Sequence, residues 1–441
     1  MLISAALVLL MTPGVAFFYG GMVRAKNVLN MIMMSVGAMG VVGVLWVLFG
    51  YSMAFGDDVG GVIGDPTQFF GLRGLFGGQY LADAETGAAV SIPLVGTIPA
   101  LVFVAFQAMF AILTVALISG SVADRMKFGA WLLFAGIWAT VVYFPVAHWV
   151  FAFDGVTAAT GGWIANKVEA IDFAGGTAVH INAGVAGLVL AIVLGKRRGW
   201  PRTPFRPHNL PFVMLGAALL WFGWFGFNAG SSLAANGVAG AAFVTTIVAT
   251  CAAMLAWLLV EKIRDGHATT LGGASGIVAG LVAITPACTS VDVLGAIVIG
   301  VVAGALCALA VGLKYRFGFD DSLDVVGVHL VGGLLGTLLV GFVATDTAPA
   351  GVNGLFYGGG FDQLWRQGVG AGAVLLYSAA ATTVIALIVK ATIGLRVGAE
   401  AEVRGVDESE HAENAYDFVA LAGSPVPGRT SAPVTVAARE A

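Results

Sequence analysis

The stretch Asp172-Phe-Ala-Gly-Gly-Thr-Ala-Val-His180-Ile-Asn-Ala-Gly184 has a partial copy far downstream, Asp321-Ser-Leu-Asp-Val-Val-Gly-Val-His329-Leu-Val-Gly-Gly333. In both, a histidine stands eight residues after an aspartate, and glycines follow it at four and seven residues (Gly184 and Gly187; Gly333 and Gly336). One such pattern is unremarkable. Two, one in each half of an apolar chain, predict a duplicated membrane protein with a histidine from each half at its centre.

Composition supports that class. The chain has 441 residues, 59% hydrophobic and 10% charged, with 63 glycines. A soluble protein carries roughly 25% charge, so this surface is not built for water. Abundant Gly and Ala suit helices packed backbone to backbone in lipid. The net charge of −4 decides nothing, because orientation depends on where Lys and Arg fall. The cysteines Cys251, Cys288 and Cys307 lie in or beside apolar runs without CxxC spacing and read as small core residues. Residues 1–23 lack a basic leader and run directly into Arg24 and Lys26, so they read as a first span, and the natural start is expected a few residues upstream.

Runs free of Asp, Glu, Lys and Arg are 1–23, 27–56, 86–123, 128–153, 173–195, 207–260, 266–291, 293–313, 325–345 and 367–389. About 20 apolar residues cross a bilayer as a helix. The run 207–260 holds two, with the turn at Asn228-Ala-Gly-Ser-Ser and Asn236-Gly237. The expectation is an all-α integral membrane protein of eleven transmembrane helices. Alternate loops then carry thirteen Lys and Arg on one side against Arg73, Lys167 and Arg366 on the other. The positive-inside rule puts the N-terminus out and the C-terminus in. Five spans per half make spans 1–5 and 6–10 an inverted repeat. Residues 1–393 read as the membrane domain, 394–417 as a polar, helix-capable cytoplasmic segment, and 418–441, rich in Ala, Pro, Ser and Val, as a disordered tail.

Ionisable groups inside a span are costly and mostly face a cavity or a partner. His180 and His329 sit on spans five and ten, which inversion brings together. Two neutral imidazoles edge to edge share one proton and still offer a donor or acceptor at each end. The blander reading is two core histidines, each bonded to a carbonyl; the paired spacing favours the joint role. Two histidines without a third ligand make a poor zinc site, and no metal or other cofactor is expected. Aromatics gather in Phe106-Gln-Ala-Met-Phe110, in Tyr143-Phe-Pro-Val-Ala-His148-Trp149-Val-Phe151 and in Trp221-Phe-Gly-Trp224-Phe-Gly-Phe227-Asn-Ala-Gly-Ser231. They suit a cation–π site at an outer mouth, although composition alone equally fits an interfacial belt. Asp172 reads as the cap of span five, with any effect on a cation indirect.

These motifs, together with Pro13-Gly-Val-Ala-Phe-Phe-Tyr-Gly-Gly21, Gly195-Lys-Arg197, Thr285-Pro-Ala-Cys288 and Gly327-Val-His329, resemble the signatures of the ammonium transporter (Amt/MEP/Rh) family, bacterial Amt type. The likeness runs from residue 2 to about 417. It implies a homotrimer with one pore per subunit, in the bacterial inner (plasma) membrane, serving nitrogen uptake. Phe110 and Phe227 match a stacked gate, His180 and His329 twin pore histidines, and Phe106, Trp224 and Ser231 an outer ammonium site. Asp172, Gln107 and Tyr143 match supporting positions. Phe151 stands where the family commonly has Trp, and Trp149, two residues earlier, is the alternative to reach the mouth. Gly394-Leu-Arg-Val and Glu413-Asn-Ala-Tyr416 resemble the region that contacts PII-type regulators. The resemblance implies a transporter that recruits ammonium, deprotonates it and conducts ammonia past the histidines with proton relay. The alternatives are a passive ammonia gas channel and an ammonium sensor signalling through the tail. No enzyme activity and no nucleic-acid partner is expected.

Overall fold

The computed structural model describes residues 1–76 and 92–416, so the segment expected to be disordered lies outside the described residues. The helices in order are α1 Leu2–Met22, α2 Val28–Phe55, α3 Ala100–Val122, α4 Phe128–Phe151, α5 Gly176–Leu194, α6 Leu210–Ser232, α7 Gly237–Asp265, α8 Thr270–Ile284, α9 Val293–Phe317, α10 Val326–Val343 and α11 Asp362–Thr392. Among the described residues ten of these are long and apolar enough to cross a membrane; α8 falls short. The protein is thus a helical, multi-pass membrane protein. Two short helices, α12 Ala399–Arg404 and α13 Val406–His411, follow in the tail.

Polar residues at the ends of the apolar runs set several helix starts. The side chains of Asn209, Asn236, Thr269 and Asp292 accept from backbone N–H groups of Phe212, Ala239, Gly272 and Gly295 at the first turns of α6, α7, α8 and α9. This satisfies donors that a helix cannot pair internally. Two spans differ from the charge-free runs. The third begins at Ala100, because residues ahead of it form a small hairpin of Leu94–Val95 with Ile98–Pro99. Helix α8 stops at Ile284 within the run 266–291, and residues 285–290 are turns. Pro286 explains the stop: it lacks an N–H and disfavours helical geometry at Thr285.

Helices α5 and α10 carry the two copies of the repeat, and they run antiparallel. Thr177 near the start of α5 meets Thr337 of α10, hydroxyl to hydroxyl at 3.3 Å. At the other end Gly187 lies against Val325. Between them, a Cβ on Gly184 would stand 2.4 Å from the backbone N of Leu330, and one on Gly333 would stand 2.9 Å from the Gly176 carbonyl and 3.1 Å from His180 Cβ. The glycine four residues after each histidine is therefore the point where the other copy presses in. Both helices open with a π-helical turn, Gly176–Ile181 and Val326–Leu330, and each turn contains its histidine.

At the opposite face from Asp172, buried charges bind the loops together. Arg197 pairs with Asp320 at 2.9 Å and Asp124 at 3.0 Å. Arg125 donates to Ser322 Oγ and to the Asp320 carbonyl, at 2.5 and 2.6 Å. Burial pushes the Arg125 guanidinium down to about 10, with Asp320 opposing, so it stays charged at neutral pH. Burial raises the Asp320 carboxyl, but the Arg197 hydrogen bonds and charge outweigh it and hold the group below its ordinary value. The tail docks on this face. Val397 N donates to the Arg125 carbonyl at 3.0 Å, and Glu402 pairs with Arg396 at 2.7 Å. Asp407 accepts from the N–H groups of Leu29 and Asn30 at 3.1 and 2.8 Å, capping α2 from far along the chain.

Two outcomes follow from this packing. Gly184→Ala is expected to lower the melting temperature of detergent-solubilised protein, at a cost of about 1–3 kcal/mol for overpacking. Gly240→Ala, where no atom lies within 4 Å, should leave it unchanged or gain up to about 1 kcal/mol. Equal melting of both variants would contradict the close crossing. Asp407→Ala should cost about 0.5–2 kcal/mol of capping and speed protease cleavage within residues 398–416; unchanged cleavage would show that the cap does not hold the tail.

Candidate functional site

Four layers stack from the Asp172 face inward. The first is a cavity of about 80 Å³ whose walls include Phe103, Gln107, Phe110, Phe151, Phe173 and Ser231. It shares Phe153, Phe173 and Ser231 with a wider cleft of about 630 Å³. Ser231 Oγ donates to the Phe227 carbonyl at 2.8 Å, which leaves its lone pairs to accept.

The second layer closes the first. Phe110 and Phe227 stack with ring centroids 4.1 Å apart and planes 17° apart. Helix α3 supplies Phe110, and Phe106, one turn earlier, meets it edge-on at 4.9 Å. Both rings of the pair are buried, at 1% and 0% exposure.

The third layer is the histidine pair. His180 and His329 face one another with Nδ1 atoms 3.3 Å apart and ring planes 17° apart. One Nδ1 must donate and the other accept, so the two rings hold opposite tautomers. One Nε2 is then bare and the other carries a proton. His180 Nε2 is buried and makes no hydrogen bond to any described residue. The fourth element is Trp224, whose ring lies parallel to His180, 5.3 Å away with a 16° tilt. Its Nε1 donates to Thr285 Oγ1 at 2.8 Å.

Asp172 stands at the head of α5. Its Oδ1 accepts from the N–H groups of Gly175 and Gly176 at 2.8 and 2.6 Å, and its Oδ2 from Thr177 and Ala178 at 2.8 and 3.0 Å. Gly175, at φ +118°, supplies the left-handed bend that folds these four N–H groups around one carboxylate. Both carboxylate oxygens are therefore taken up by the start of the helix, at the edge of the wider cleft that Asp172 also lines.

The remaining residues singled out from sequence divide. Phe151 and Gln107 reach the mouth cavity. Trp149 points elsewhere: its Nε1 donates to the Val62 carbonyl at 2.7 Å and its ring packs on Tyr377 and Trp163. Trp224 sits a layer deeper than an outer mouth requires, against His180. Phe106 backs Phe110 and does not line the cavity. Tyr143 is buried at the end of a π-helical turn in α4, Ala139–Tyr143. Sequence reading missed Phe103, four residues before Gln107 and so on the same helical face, a spacing that flags it. It also missed Phe153 and Thr157, which come from a loop without periodicity, and Thr285 as the partner of Trp224. Among the described residues no cluster of three or more His, Cys, Asp or Glu is arranged to hold a metal.

Comparison with known proteins identifies the family. A sequence model of the Ammonium Transporter Family matches residues 1–416. An ammonium transporter of Mycobacterium tuberculosis is 73% identical over 439 residues, covering 98% of this chain and 92% of that protein. One from Aquifex aeolicus is 48% identical, covering 95% and 92%. Among solved structures, Saccharomyces cerevisiae Mep2 superposes with a TM-score of 0.79 at 35% identity, covering 90% of this chain and 88% of that one. A protein described as a sensor Amt protein superposes at 0.81 with 27% identity, covering 93% and 96%. With a family match over nearly the whole chain and relatives this similar, the chain belongs to the ammonium transporter family.

Proposed function

We propose that this transporter recruits ammonium at the Asp172 face, removes a proton there, and conducts neutral ammonia past His180 and His329 while the histidines relay the proton. The observation that carries the reading is the His180–His329 pair, with a shared Nδ1 contact of 3.3 Å and a buried His180 Nε2 unclaimed by the described residues.

Recruitment needs a cation site, and the mouth cavity offers aromatic faces of Phe103, Phe110 and Phe151 with the Ser231 hydroxyl. A bare ammonium ion does not pass the Phe110–Phe227 stack intact, because desolvating a charge there costs several kcal/mol or more. Loss of a proton at the stack removes that cost and leaves ammonia, which a pore of carbon edges admits. The proton follows its own route. It binds a bare Nε2, the shared Nδ1 proton shifts to the other ring, and a proton leaves from the far Nε2. One positive charge thus crosses in that relay event, and transport is electrogenic. Without the relay the same pore is a passive ammonia channel.

The chain crosses the membrane eleven times in this reading, with α8 and the turns after it counting as one crossing. The Asp172 face lies outside and the tail face inside, in keeping with thirteen basic residues on the tail-side loops against three on the other side. Three subunits form a trimer in the bacterial plasma membrane. Residues 1–393 conduct, and 394–417, docked through Asp407 and Glu402, offer a contact for a PII-type regulator.

Proteoliposomes given an ammonium pulse should show a transient current in the wild type that His180→Ala and His329→Ala abolish, with no loss of trimer on gel filtration. Uptake by the wild type without charge movement would leave only the passive channel. Because Trp is a better cation–π partner than Phe, Phe151→Trp should lower the half-saturating ammonium concentration about two- to fivefold. An unchanged value would remove Phe151 from the recruiting site.

A further inference from the structure

Helix α8 ends in the buried interior, and the turn that follows touches the conduction site twice. Thr285 and the residues after it are buried. The Thr285 hydroxyl accepts from Trp224 Nε1 at 2.8 Å and donates back to the Leu281 carbonyl at 2.7 Å, with Asn228 Oδ1 a second acceptor at 3.3 Å. Asn228 Nδ2 donates to Thr246 Oγ1 at 2.9 Å, and Thr246 donates to the Ala242 carbonyl at 2.6 Å. A polar chain therefore ties α6, α7 and the end of α8 together around one indole edge. Next to Thr285, the Pro286 ring fills the space where a Cβ on Gly176 would fall, 2.5 Å away. The Pro286 carbonyl accepts from Phe173 N at 3.3 Å. One turn holds both the ring that stacks on His180 and the first residue of the helix that carries His180.

We propose that Thr285 is a positioning residue for the histidine pair, acting on the His180 ring through Trp224. The inference rests on reading the pair as the relay. The bond from Cβ to an imidazole is a broad, roughly two-fold torsion, so covalent geometry does not fix the ring plane. The His329 contact restrains one edge; the parallel face of Trp224 restrains the plane. That indole is in turn pinned at its far edge by a single N–H bond. An indole N–H is a donor only, and in a dry interior a donor without an acceptor is unfavourable. Thr285→Val keeps the shape and removes the acceptor. The indole then tilts toward another oxygen, and the His180 plane is released from its alignment with His329.

The test uses the full chain carrying fluorotryptophan, with the Trp224 fluorine resonance assigned by its loss in Trp224→Phe. Thr285→Val should move or broaden that resonance and cut the ammonium-evoked current about tenfold, with the half-saturating concentration within about twofold of wild type. Thr285→Ser should restore both. If Thr285→Val does not fold, Thr285→Cys, a weaker acceptor, should give an intermediate displacement and current. A wild-type resonance in the Val or Cys variant overturns the proposal, whatever the current does. If the wild type itself moves no charge, the relay fails, and the resonance still decides whether Thr285 holds the ring.

Discussion

Everything at the centre of this molecule depends on how closely the backbones of α5 and α10 approach. The two imidazoles reach one another because Gly184 admits Leu330 and Gly333 admits the Gly176 carbonyl. A methyl group at either place would separate the helices by more than a 3.3 Å contact tolerates. In lipid there is little hydrophobic gain from joining two helices, so small residues and interhelical polar contacts supply the association. Here the same crossing that packs the halves also sets the distance between the chemical groups. The antiparallel sense makes the arrangement reciprocal: each copy provides the histidine and the notch that receives the other.

That reciprocity was legible in the sequence, because it is a matter of spacing along helices. The interval from each histidine to its glycine is one helical turn, and the eight-residue lead from each aspartate puts a carboxylate at a helix start. Charge-free runs located the spans for the same reason, since bilayer thickness acts on length. What spacing does not encode is depth. Trp224 and Phe227 lie less than one turn apart on one helix and both approach His180, yet Trp224 stacks on it at 5.3 Å while Phe227 stacks on Phe110 at 4.1 Å. Trp149 likewise belongs to an aromatic cluster by sequence, but its indole N–H is drawn to the Val62 carbonyl, on a loop nearly ninety residues earlier. The end of α8 shows a different kind of loss. Pro286 marks the break plainly, but a count of charges passes over it.

The site also shows how a dry interior manages polar groups. Asp172 meets four N–H donors, Trp224 meets one hydroxyl, and Asn228 and Thr246 pass the hydrogen-bond pattern on to a helix carbonyl. Against those satisfied partners, His180 Nε2 is one of a small number of buried polar atoms among the described residues that no hydrogen bond claims, and it lies beside a second imidazole. Buried polar atoms are almost always paired, and this exception is the one on which the proposed relay draws.

The cap that Asp407 places on α2 has a consequence for how the molecule comes to be. The N-terminus of α2 is made within the first thirty residues, but its acceptor arrives some 380 residues later. Until nearly the whole chain has emerged, water must meet the N–H groups that Asp407 takes in the folded protein. Completion of the earliest loop is deferred to the last segment, and a chain that stops short of residue 407 carries that unfinished end as a mark of its own incompleteness.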